Sequence, residues 1–454
     1  MSQHFVSVSQ IPAGGEQFDL ARVARLRAVL RLVALVGGAL SLLFFFLGGD
    51  WISATSAFNG EEVHYSIRSI YSYSWLFAFV VCFTLCLGSL FWVLLHHASN
   101  SSWGVAIRRI PEVVATQILL IGVLGVPLLL VPPIRETLWT WMHEHAQAFR
   151  EGYGGSSVRE YLHEHGHHLL HHKYGFLSLY WGVIPGWVPR YVIYFVLLGF
   201  GAFVLRRWSV MQDDSGDLRP TFWARRFSCG WLPVFALSLT FASFDWVKSL
   251  NYTWFSTMFG VNFFAGSAMG SMALLLIIVV SLKELGYLKR VVTEEHFHLM
   301  GKLMHVFVIF WAYIAFSQYF LIWYANIAEE TQFYAIRNTE GWCWYSILLI
   351  TIGHFFLPFV LLLVRANKKR PKVILGISAW VLFAHLCEIY WFIIPERGPK
   401  LADRPSIGWA VLFDVIALAT MLSVAALAFL HSLSKQSLYP CGDPRLQESI
   451  NVVN

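Results

Sequence analysis

Ser378, His385 and Glu388 follow one another at offsets of seven and three within a single apolar run, so a helix through that run carries all three on one face. Glu388 lies about six residues from the outer end expected for its run, and Asp414 about six from the outer end of the next, antiparallel one. That puts both carboxylates on the order of 9 Å below the outer surface. Asp245 stands near the outer end of an earlier run and is followed by Lys248. His354, with Thr351 one turn before it, falls in the middle of its run, while Tyr313, Ser317 and Tyr324 make a polar stripe beside Gln318 on another. Glu112 follows Arg108, Arg109 and Pro111 at an inner end. Ionisable side chains at membrane depth are costly and turn toward a bundle interior or a wet cavity. Carboxylates and imidazoles placed at both membrane surfaces and at the centre are the groups that a proton path or a quinone pocket requires.

Each member also has a plainer reading. Glu112 can pair with Arg108 one turn away, Asp245 can pair with Lys248 at the interface, and His305 sits where a headgroup-level residue belongs. The group of His385, Glu388 and Asp414 is the hardest to read as interhelical bonding alone. His354 and His385 lie at the centres of consecutive runs, so a b-type haem is an alternative, although only Gly353 offers a small neighbour for a macrocycle. The six cysteines, at 82, 86, 229, 343, 387 and 441, include no C-x-x-C pair and no C-x-x-C-H, so they supply neither a cluster site nor a covalent haem site. Cys82 and Cys86 read as small buried hydrophobes.

The elements that hold these residues are expected to be transmembrane helices. Charged residues are only 13% of the 454, against 57% hydrophobic and 17% aromatic, too few charges for a soluble surface of this size. Ten runs reach the roughly 20 residues a spanning helix needs: about 31–49, 74–95, 111–131, 188–205, 231–248, 256–282, 303–323, 342–364, 373–394 and 408–430. With the N-terminus inside, about two thirds of the 33 Lys and Arg residues fall in inner segments, which predicts cytoplasmic termini. The chain divides into an N-terminal tail (1–30), a ten-helix membrane domain (31–431) and a C-terminal tail (432–454). The first run is long, far from Met1 and lacks a small-residue cleavage site, so it is expected to stay as an uncleaved span. One external segment, 134–187, is long and holds eight histidines: His143, His145, His163, His165, His167, His168, His171 and His172. A metal site is one reading; hydrated amphipathic helix facing solvent or a partner is the plainer one, because no cysteine or ordered acidic set completes a site. Trp139, Trp141, Trp181 and Trp187 near its ends are expected at the membrane interface.

Two stretches carry a family likeness: SFDWVKSLNYTWFSTMFG at 243–260 and FSQYFLIWYANIAEETQFY at 316–334, joined by GHFFLPFVLLLVR at 353–365. Over residues 30 to 430 the chain resembles ActF, the second NrfD-like, quinone-binding-type membrane subunit of bacterial alternative complex III, a quinol:cytochrome c oxidoreductase. Family members read N-I-P-E-E-T where this chain has Ala328 in the proline position. The resemblance implies an all-α integral membrane fold of two four-helix bundles, spans two to five and six to nine, with the first and last spans flanking. It also implies a bacterial inner-membrane location and partners: a homologous NrfD-like subunit, an iron–sulfur protein and c-type cytochromes, which would hold the redox centres. The chain itself would carry no metal or covalent cofactor, would meet the quinol pool and membrane lipids, and would support quinol oxidation, proton translocation or the scaffold of the complex. An independent secondary transporter is a further alternative, resting on Gly260, Gly266 and Gly270 as an interruption of the sixth span.

Overall fold

The computed structural model describes residues 11–12, 14–46, 50–55, 62–154, 157–180, 184–397 and 407–453. Among them, ten helices are long and apolar enough to cross a membrane: α1 (Leu20–Phe46), α2 (Ile67–Ala98), α3 (Arg109–Leu130), α4 (Trp187–Ser215), α5 (Arg219–Trp246), α6 (Phe259–Glu284), α7 (Glu294–Ala325), α8 (Gly341–Leu363), α9 (Pro371–Arg397) and α10 (Ala410–Leu433). Each expected run overlaps one of them, and positions 47–49 of the first lie outside the described residues. Helices satisfy every backbone group internally, which is what a bilayer demands. Their outward faces carry Leu35, Phe46, Val123, Leu237, Phe316 and Val360 exposed, an exterior suited to lipid rather than water. The protein is an all-α multi-pass membrane protein, with one short antiparallel hairpin, Asp50–Thr55 against Glu62–Ser66, between α1 and α2.

The helices close into two rings. α2 touches α3, α3 touches α4, α4 touches α5, and α5 returns to α2; likewise α6 meets α7, α7 meets α8, α8 meets α9, and α9 returns to α6. These two four-helix bundles join through α2 and α6, and α1 and α10 pack together against α2. α2 is thus surrounded, and its residues from Ile70 to Leu94, mostly apolar, are buried all round, as a central helix must be. The α2–α6 seam is tight: a Cβ on Gly88 would lie 2.1 Å from the Ser267 carbonyl oxygen, so only glycine fits there.

Local sequence sets the ends and the irregularities. Ser66 caps α2 by accepting from Ser69 N at 3.1 Å. Thr293 and His296 form a capping box at the start of α7. Asn326, at φ 51°, ends α7 in the left-handed region, and the next helix begins at Ala328. That is a first helical position, where proline is favoured, so Ala328 in place of proline keeps the same backbone. In α8 the stretch Ser346–Phe356 is π-helical and stops two residues before Pro358, whose missing N–H relieves the carbonyl of His354 of its usual partner.

The described parts of both expected tails pack against the rest of the chain. The first helix starts near residue 20 rather than 31, and Leu438 N donates to Glu16 O at 2.8 Å, so the two ends of the chain meet on one face. We call it the terminal face. Ser449 donates to Trp103 O at 2.7 Å and accepts from Ala106 N at 3.0 Å, with Tyr439, Leu446 and Ile450 buried around it. On the opposite face, segment 134–187 is not one amphipathic helix but four short ones, Pro132–Leu138, Thr140–Arg150, Ser157–Glu164 and His168–Lys173. Trp139, Trp141 and Trp187 are fully buried there instead of lying at an interface, and Trp181 is outside the described residues. Its histidines mostly face outward, as the plainer reading expects, except His145, which is buried against Trp141 and Tyr174.

Candidate functional site

The core of the second bundle receives one contribution from each of its four helices. α9 supplies His385 and Glu388, α8 supplies His354 from the π-helical stretch, α7 supplies Trp311, and α6 supplies the room. A Cβ on Gly266 would meet Glu388 Oε2 at 2.4 Å, and one on Gly270 would meet His385 Cδ2 at 2.5 Å. These two glycines, one turn apart, do not interrupt α6, which runs unbroken from Phe259 to Glu284. They form the trough into which the carboxylate and imidazole fit, and the discontinuous-helix expectation attached to them is not met.

Glu388, His385 and His354 are all essentially inaccessible. Glu388 Oε1 accepts from Trp311 Nε1 at 2.5 Å, and Oε2 lies 3.1 Å from His385 Nδ1. The other nitrogen of His385, Nε2, is 3.0 Å from Thr84 Oγ1 on α2. The Thr84 hydroxyl already donates to Val81 O at 2.8 Å, so toward His385 it accepts, and Nε2 carries a hydrogen. The contact between Nδ1 and Oε2 then needs a second proton, either on Nδ1 facing a carboxylate or on Glu388 facing a neutral imidazole. One proton sits between the two groups whichever holds it. His354 Nε2 lies 3.9 Å from the same Oε2, one small displacement from joining, and neither of its ring nitrogens has a hydrogen-bond partner among the described residues. Trp311 packs on the His354 ring, centroids 4.2 Å apart. On the terminal-face side of α9, the buried Ser378 hydroxyl is likewise without a partner among the described residues.

The other expected carboxylates go elsewhere. Asp245 does not pair with Lys248 but is clamped at the top of the first bundle by Arg190, Nη2 to Oδ1 at 2.6 Å and Nε to Oδ2 at 2.8 Å, with Tyr194 donating at 2.6 Å. The Nη1 hydrogens of Arg190 go to the carbonyls of Phe176 and Pro185. Asp414 is held by Arg397 at the end of α9, by Ser74 at 2.5 Å and by Tyr390 at 3.0 Å. The three carboxylates therefore do not gather in one outer site: two are locked separately by arginines, and Glu388 reaches the mid-membrane imidazoles. Glu112 pairs with Arg108 at 3.1 Å, as its plainer reading had it, in a buried network at the terminal face where Arg108 also meets Asp443 at 2.9 Å and Arg109 meets Asp213 at 2.5 Å. Tyr313 and Tyr324 project outward, 68% and 81% exposed, and Ser317 is only half-buried, so the stripe on α7 points away from the Glu388 cluster. Its neighbour Gln318 is buried and donates to Tyr334 at 3.1 Å. His305 packs against Phe359, ring centroids 5.4 Å apart.

Two cofactor readings can be weighed on this geometry. A haem ligand needs a free ring nitrogen, but both nitrogens of His385 are engaged, and Glu388 occupies the space between the two imidazoles. The residues do not fit a haem. A metal ion has better support: His354, His385 and Glu388 each present a donor atom within 4.8 Å of the others', the only such group among the described residues. A divalent ion there would keep a net positive charge in apolar surroundings with a single carboxylate to offset it, which disfavours it.

Sequence reasoning missed Arg190, Arg397, Trp311 and Thr84, because each acts across helices. The glycines at 266 and 270 were a visible signal, assigned to the wrong purpose. Compared with models of known protein families and with curated proteins, the chain gives no match.

Proposed function

We propose that the chain is a non-redox membrane subunit of a quinol:cytochrome c oxidoreductase of the alternative complex III kind, lodged in a bacterial inner membrane with its terminal face to the cytoplasm. Within that complex it relays protons through His354, Glu388 and His385. The observation that carries this reading is the Glu388–His385 contact, which must hold a proton and sits one short step from a second imidazole with unengaged nitrogens. A proton arriving at His354 Nε2 from one side can pass to Glu388 Oε2 as the shared proton moves onto His385 Nδ1, and His385 then releases its Nε2 hydrogen on the Thr84 side of the ring, so that one proton enters and one leaves. Neither step changes the number of charges by more than the one proton carried. The absence of clustered cysteines leaves the electron carriers to partner subunits, in keeping with the likeness at 243–260, 316–334 and 353–365.

The test is made on the native complex, purified through this subunit and reconstituted in vesicles. Iron–sulfur and multihaem cytochrome subunits are expected to co-purify, and Glu388→Gln is expected to lower proton release per electron with assembly intact. Purification as a lone chain would sink the assignment to a complex, and normal proton yield in Glu388→Gln would sink the relay. A second reading, a metal centre at the same three residues, is favoured by their donor spacing. Stoichiometric metal in the purified wild type that is lost in His354→Ala would establish it instead.

A further inference from the structure

On the face opposite the termini, a cavity of about 290 Å³ opens between the end of α5 and the helix His168–Lys173. Its walls are apolar, with Phe176, Phe241, Phe244 and Trp254 among them, yet two ammonium groups, Lys173 and Lys248, reach it. Neither lysine has a carboxylate within salt-bridge distance among the described residues. The nearest acid in sequence, Asp245, is spent on Arg190 and Tyr194. Lys173 donates one hydrogen to Tyr252 O at 2.6 Å and lies 5.3 Å over the Phe255 ring, and Lys248 lies 5.1 Å over Phe244. Burial, followed by repulsion from Lys173, pushes the Lys248 ammonium down to about 8 from its ordinary 10.5. Two cations held together in an apolar cleft, with no carboxylate in direct contact among the described residues, call for an anion.

We propose that this cleft binds the phosphate of an anionic phospholipid, with Lys173 and Lys248 on the headgroup and the aromatic wall beside the acyl chains. The choice of a lipid over a soluble anion rests on position. Phe241 and Phe244 belong to the last turns of a spanning helix, and Phe241 is 40% exposed on the outer surface of the bundle, at the level where chains join headgroups. Lysines at helix ends reach toward that level with their stems along apolar surface. The site is independent of the proton relay and stands or falls separately.

The full-length protein in neutral detergent, titrated with phosphatidylglycerol, phosphatidylcholine or inorganic phosphate and followed by native mass spectrometry, tests the site. Phosphatidylglycerol should bind more tightly than phosphatidylcholine. Lys173→Gln and Lys248→Gln should each weaken phosphatidylglycerol about fivefold, the effect of one lysine at a membrane surface. Neither variant should change phosphatidylcholine binding, Lys248→Arg should retain the preference, and Lys289→Gln, an exposed lysine between α6 and α7, should leave it intact. If Lys248→Gln fails to fold, Lys173→Gln carries the comparison. Equal binding of the two lipids, or an equal loss in Lys289→Gln, would overturn the site. Displacement of phosphatidylglycerol by inorganic phosphate at matching concentration would overturn the lipid as its ligand.

Discussion

The two four-helix bundles each bury a carboxylate, and the partners they give it differ in one chemical respect. In the first, Asp245 faces Arg190, whose guanidinium holds its protons at any physiological pH, and a tyrosine donates a third hydrogen bond. In the second, Glu388 faces two imidazoles and an indole, and of these the imidazoles can gain or lose a proton. The same architecture thus makes a fixed latch in one half and a proton-sharing contact in the other. Position follows the chemistry: the Arg190–Asp245 latch closes the end of a bundle, whereas the Glu388 cluster lies in mid-membrane, where a fixed charge would have least reason to be. Asp414 with Arg397, and Glu112 with Arg108 and Arg109, belong with the latches.

The largest expected effect is on the latch. Arg190→Ala leaves Asp245 buried without its counter-charge and should cost about 3–5 kcal/mol of stability, read as a large fall in the thermal midpoint or loss of folded protein. If the variant unfolds near the wild-type temperature, Asp245 is not locked and the contrast between the bundles weakens. Next comes the trough: Gly270→Ala drives a methyl into the His385 ring and should cost about 1–3 kcal/mol, while Ala at the open position Gly376 should cost nothing by this route. Thermal unfolding of the pair separates crowding of the cluster from helix propensity.

Glu388→Gln is expected to cost less, within about 1 kcal/mol, because an amide can still accept from Trp311 and donate to His385 Nδ1. A destabilisation as large as that of Arg190→Ala would mean the cluster is a latch as well. At neutral pH the smallest effect belongs to the helix Thr140–Arg150, because its pH-dependent part appears only in acid. Burial pushes His145 down to about 4 from its ordinary 6.5, so the native state resists protonation that the unfolded chain accepts. Its contribution is complete above about 6.5 and lost as the pH falls toward 4, with a slope of at most about 1.4 kcal/mol per pH unit. Hydrogen exchange over residues 140–150 should show that slope, and His145→Gln should flatten it.

The sequence carried the scaffold and half of the site. Ten long apolar runs can do little in a bilayer but cross it, and the seven- and three-residue offsets among Ser378, His385 and Glu388 fix a shared helix face whatever the packing. Which carboxylate meets which cation is a property of contacts between helices, and neighbours along the chain mislead there. Lys248 stands three residues from Asp245, but Arg190, on α4, reaches it. The polar stripe of Tyr313, Ser317 and Tyr324 was equally legible as a stripe, but nothing in one helix says whether a face meets lipid or protein. Gly266 and Gly270 show the reverse: their spacing was plain, and only the side chains of α9 pressed against them give it meaning.

The central claim is that, of the buried carboxylates, Glu388 alone shares a proton with an imidazole. Infrared spectra of the membrane-reconstituted protein before and after hydrogen–deuterium exchange, wild type against Glu388→Gln, Asp245→Asn and Asp414→Asn, test it directly. The account predicts an exchange-sensitive carboxyl signal, with its coupled imidazole bands, that disappears in Glu388→Gln and persists in whichever aspartate variants fold. A coupled signal that survives Glu388→Gln but vanishes with Asp245→Asn or Asp414→Asn would contradict it.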